Sequence, residues 1–95
     1  MGAPSSLGEI ERMREYRTIR ALERGETVDL WGLRFVKDQG EIGKGDLYIA
    51  ERNTRPQLLT CAYVNHENGY VVPSEGEYPY DLSECVKVRE SQEGK

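Results

Sequence analysis

The sequence predicts an α+β fold, with an N-terminal helix packed on a small antiparallel β-sheet, or partly open barrel, of five to six short strands. Apolar residues recur every third position up to Arg24, and from Thr27 onward the period changes to two. Turn residues interrupt that second part repeatedly, and no helices alternate with its strands, which argues against a parallel βαβ design. At 95 residues the chain is long enough for one hydrophobic core, so a single domain over residues 7–89 is expected. Residues 1–6 read as a disordered leader and residues 90–95 as a disordered tail.

Ser6-Leu7-Gly8-Glu9 fits the S-x-x-E box that satisfies free amides at a helix start. The helix predicted from there runs over residues 7–24. Ile10, Met13, Tyr16, Ile19 and Leu22 drift around its surface, so only its last turns need firm docking. Gly25 supplies the left-handed stop, and Arg20 and Arg24 sit at the negative end of the dipole. Val28, Leu30, Leu33, Phe35 and Val36 flank Trp31-Gly32 and read as two strands around a tight turn. Residues 46–52 alternate apolar Leu47 and Ile49 with polar neighbours, and Asn53-Thr54-Arg55-Pro56 is a turn by composition. Residues 58–64 are apolar on both sides except at Thr60, the mark of a central strand. Asn65 to Gly69 form a loop ending in a glycine at positive φ, and residues 70–72 return to complete a hairpin. Residues 80–83 make one helical turn and residues 85–88 a last strand.

Two of these segments, Gly45-Asp46-Leu47-Tyr48-Ile49 and Tyr80-Asp81-Leu82-Ser83, carry a resemblance of layout. Over about residues 45–89 the chain resembles the small SH3-like barrels, the first segment matching their opening strand and the second their short turn before the final strand. The resemblance implies a barrel and no particular activity, since unrelated functions share that fold.

The net charge of −4 is uneven. Residues 1–55 carry ten acids and ten bases, whereas residues 56–95 carry seven acids and three bases. That balance argues against direct nucleic-acid binding, which draws on a surplus of Lys and Arg. No apolar run approaches the roughly 18 residues of a membrane helix, and the opening MGAPSSLGEIERMREY turns charged where an export signal is apolar. Cys61 and Cys85 stand in apolar stretches outside any C-x-x-C pair and read as buried thiols, with a disulfide as the competing reading. A reducing, cytoplasmic setting fits them.

No catalytic residue, cofactor or metal site is expected. His66, the single histidine, sits in a polar loop and reads as an exposed turn residue. Neither cysteine has a positive neighbour to favour a thiolate, and three N/S ligands spread over this span do not make a zinc site. Gly40-Glu41-Ile42-Gly43-Lys44-Gly45-Asp46 lacks the order of a phosphate loop and reads as a tight turn. Glu51, Glu75, Glu77, Asp81 and Glu84 are carboxylates without a fixed separation.

Two surface features stand out. Tyr70, Tyr78 and Tyr80 interleave with Glu75, Glu77 and Asp81 in a protein-binding candidate, the competing reading being that these tyrosines cover the end of the barrel. Arg17, Arg20 and Arg24 share a helix face and, with Arg52 and Arg55, form an alternative ligand-binding set, although Glu11, Glu15 and Glu23 nearly neutralise the helix. The leading functional expectation is a non-enzymatic module that contacts a protein partner, with an inhibitor whose acidic half enters a basic groove as one form of it. A small-ligand binder of nucleotide type comes second, using those arginines with stacked tyrosines in a pocket at a barrel mouth or subunit interface, and an enzyme using paired carboxylates third. Self-association through sheet edges at residues 70–72 or 85–88 is a further expectation.

Overall fold

The computed structural model describes residues 16–75 and 78–91. The expected leader, the capping box, the helix up to residue 15 and residues 92–95 lie outside the described residues. Helix α1 spans Arg17–Glu23 and ends as the sequence predicts, with Gly25 at φ +87°. The Glu26 amide donates to Ala21 O at 3.0 Å and the Gly25 amide to Leu22 O at 2.9 Å, which closes the two carbonyls left open by a terminating helix.

Seven strands follow: β1 (Val28–Leu30), β2 (Leu33–Lys37), β3 (Leu47–Arg52), β4 (Arg55–Asn65), β5 (Tyr70–Pro73), β6 (Tyr80–Asp81) and, after the 3-10 turn η1 (Leu82–Glu84), β7 (Cys85–Glu90). They form one curled antiparallel sheet in the order β1-β2-β7-β3-β4-β5-β6, a half-barrel whose edges are β1 and β6. The expected five to six strands are thus seven. Tyr80 and Asp81 pair with Val71 and Tyr70 as an added strand before the helical turn begins.

That topology corrects three other expectations. The centre of the sheet is β3, not residues 58–64. Residues 70–72 and 85–88 are not edges, because β5 lies between β4 and β6 and β7 lies between β2 and β3. Arg55 and Pro56 belong to β4, leaving only Asn53 and Thr54 in the turn. Pro56 falls in the half of β4 that has β3 as its only neighbour, where a missing N–H is tolerated.

β3 is buried on both faces. Ile49 packs with Ile19, Leu22, Phe35, Val86 and Val88 in a core under α1, while Tyr48 and Ala50 face a second core inside the curl with Ile42, Cys61, Val71 and Cys85. Burying each large apolar side chain contributes roughly 1.5–3 kcal/mol, so the two cores anchor the sheet from both sides. In β4 a bulge between Cys61 and Tyr63 resets the alternation. Leu59 and Cys61 point into the curl, then Val64 does so, and Tyr63 is thrown outward to 51% exposure. The apolar run read from residues 58–64 is two-sided at its start, where Leu58 packs against the core under α1 and Leu59 inside the curl, and the bulge then interrupts its alternation.

Among the described residues no helix is long and apolar enough to cross a membrane. Both cysteines are free and buried.

Candidate functional site

The β3–β4 hairpin turns through Asn53 and Thr54, both at positive φ (54° and 63°), as the primed turns of two-residue hairpins require. Its last cross-strand pair is Arg52 opposite Arg55. Directly opposed residues of an antiparallel pair share a face, so both guanidinium groups leave the sheet on one side. There they meet Tyr78, Tyr80, Gln57 and Asn53 around a groove of about 410 Å³.

Arg52 is tightly held. Its Nη2 donates to Glu84 Oε1 at 2.9 Å and to Pro79 O at 3.2 Å, and its Nε lies 3.4 Å from Glu84 Oε2. The Tyr80 ring sits 4.6 Å from the guanidinium carbon, in cation–π range. Tyr80 also donates from its hydroxyl to Gln57 Oε1 at 3.3 Å. The hydrogen-bonded Arg52 guanidinium holds the buried Glu84 carboxyl below the usual carboxylate range, against the opposing effect of desolvation. Arg55 is exposed and has no ion pair among the described residues.

The structure therefore divides the tyrosine-rich candidate between two faces. Tyr78, 67% exposed, and Tyr80 line the groove. Tyr70 and Asp81 oppose each other on the other face, where the Tyr70 ring lies 6.1 Å from Tyr63. Glu75 is exposed, and Glu77 lies outside the described residues. The arginine set divides as well. Arg52 and Arg55 meet in the groove, whereas Arg17 and Arg20 are exposed on α1 and Arg24 pairs with Glu26 at 2.7 Å. Sequence reading missed Gln57, Asn53 and the outward Tyr63, the last because no local signal marks a bulge.

The other candidates for chemistry are engaged elsewhere. Asp46 Oδ2 accepts the Gly43 amide at 2.8 Å and lies 3.5 Å from Lys87 Nζ, so this glycine turn is closed by its own carboxylate where a phosphate cradle would hold its ligand. His66 is exposed in the β4–β5 turn, as expected, and its Nε2 donates to Ile42 O at 2.9 Å, fastening the loop that carries buried Ile42. His66 and Cys85 line one cleft of about 260 Å³. No hydrogen bond joins them, since Cys85 Sγ donates to Asp81 O at 3.4 Å. Burial pushes the Cys85 thiol up to about 12, and burial also raises Cys61, so both remain thiols at neutral pH. Among the described residues no group of three or more His, Cys, Asp or Glu is placed to hold a metal ion.

Among the described residues two carboxylates are buried, and each has internal partners. Glu51, 1% exposed, accepts the amides of Thr18 at 3.2 Å and Ile19 at 3.0 Å, while Glu84 accepts Arg52 and the Asp81 amide. Compared with protein-family profiles, with curated proteins and with solved structures, the chain finds no significant counterpart in any of the three.

Proposed function

We propose that this chain is a small non-enzymatic binding module that acts through protein–protein contact, a regulator or inhibitor, at the end of the sheet where Tyr78, Tyr80, Arg52 and Arg55 gather. One observation carries the reading: a tyrosine 67% exposed stands at the rim of a groove walled by a second tyrosine and two arginines. Tyr and Arg dominate interface energetics because they offer large contact area and several donors for few frozen rotors. Arg52 and Tyr80 are already fixed by Glu84, Pro79 and Gln57, so little side-chain ordering remains to oppose association. The internal use of Glu51 and Glu84 supports contact over acid–base catalysis. The two free thiols suit a reducing, cytoplasmic setting.

Co-purification from the native host tests the reading. Tyr78→Ala is expected to reduce capture of the partner at least tenfold, and Tyr63→Ala on the opposite face to leave it unchanged; equal capture by both variants removes the proposal. The second reading, a nucleotide-type ligand, is favoured by the convergence of Arg52 and Arg55 with Tyr78 and Tyr80. Thermal shift against a nucleotide panel decides it, since a ligand at 100 times its Kd adds about 2.7 kcal/mol.

A further inference from the structure

Arg52 and Arg55 emerge side by side from the hairpin, yet their charges are not equally balanced. Arg52 lies 2.9 Å from the Glu84 carboxylate, and the charge of Asp81 also reaches it. Arg55 has no counter-ion among the described residues, and the described lining of the groove contains no carboxylate. The described lining of the groove thus presents about one uncompensated positive charge in a chain of net charge −4. Gln57 accepts the Tyr80 hydroxyl through Oε1, which leaves its NH₂ as the group free to donate.

Resting on the protein-contact reading, we infer that this groove takes a single carboxylate side chain of the partner, an Asp or Glu held by Arg55, with the neighbouring partner residue lying on the Tyr78 ring. A carboxylate matches one guanidinium both in charge and in the fork geometry of its two oxygens. A phosphate group, at about −1.5 to −2, overcompensates that single charge and is opposed by Glu84 and Asp81 behind Arg52. The acidic balance of the chain as a whole points to a basic partner, and this groove reverses that sign locally.

NMR titration of the full chain with three blocked peptides, Tyr-Glu-Gly, Tyr-Gln-Gly and Tyr-phosphoserine-Gly, tests the assignment. The Glu peptide is expected to shift the side-chain resonances of Arg55, Asn53 and Gln57 and to bind about fivefold more tightly than the Gln peptide, the size of one exposed ion pair. Arg55→Gln is expected to abolish that preference, and Arg17→Gln to retain it, both with unchanged amide spectra outside the groove. Equal binding of the Glu and Gln peptides, a preference that survives Arg55→Gln, or tightest binding by the phosphoserine peptide overturns the inference. If the native partner is lost on Tyr78→Ala but kept by Arg55→Gln, the carboxylate assignment fails while the protein-contact reading stands.

Discussion

Glu51 and Glu84 are both buried carboxylates that tie β3 to a neighbouring element, and they differ in what they hold. Glu51 lies under α1 and accepts two backbone amides of its first turn, where the Tyr16 side chain at the capping position does not cap the helix amides. It does the work of a local cap from 32 residues away in sequence. Glu84 receives a guanidinium that is 42% exposed, the Asp81 amide and the Tyr16 side chain. A carboxylate facing only backbone builds interior structure. One facing an arginine at the surface builds structure and orients a recognition surface together.

The comparison breaks first at Glu51. Glu51→Ala strands one buried and one half-buried amide and opens a cavity, so a loss of about 3 kcal/mol is expected in urea unfolding. Glu51→Gln fares little better, because its NH₂ faces a donor. Arg52→Ala is expected to cost about 1–2 kcal/mol, less than a fully buried pair because Arg52 is partly in water.

The same pair sharpens the comparison through pH. The folded-state pKa of Glu84 is lowered, so its contribution is complete above the usual carboxylate value of about 4.3 and is lost as pH falls through the lower folded value. Glu84→Gln is expected to flatten stability against pH below about 4 relative to wild type, as read by thermal melts.

A smaller effect lies inside the curl. The Tyr48 hydroxyl is buried with no hydrogen-bond partner among the described residues. Tyr48→Phe is expected to raise stability by about 1 kcal/mol. Burial raises the Tyr48 pKa, so wild type loses stability as pH rises above about 10, and the phenylalanine variant is expected to lose less. Arg17→Gln and Arg20→Gln, exposed on α1, are expected to change stability by no more than about 0.5 kcal/mol.

What the sequence made legible was local. Gly25 and Gly69 announce positive φ and Trp31-Gly32 a tight turn, and each marks the helix end or hairpin predicted there. Tyr80-Asp81 was not legible as a strand, because two residues carry no period. The bulge in β4 was hidden for a related reason: Cys61 to Val64 reads as a continuous apolar run whether or not the alternation resets. The groove was half legible. Arg52 and Arg55 were expected to act with stacked tyrosines, and Tyr78 and Tyr80 were singled out, but which tyrosines meet which arginines was not legible, since the pairing that joins Arg52 to Glu84 spans 32 residues.

β6 is the last strand of the sheet, and Asp81 is its residue in the non-hydrogen-bonded pair with β5, so the Asp81 amide points away from the sheet. Glu84 Oε1 accepts that amide at 3.2 Å. The carboxylate therefore also works against templated growth: with β1 only three residues long and the Asp81 amide of two-residue β6 already engaged, the two terminal strands offer short margins to further copies.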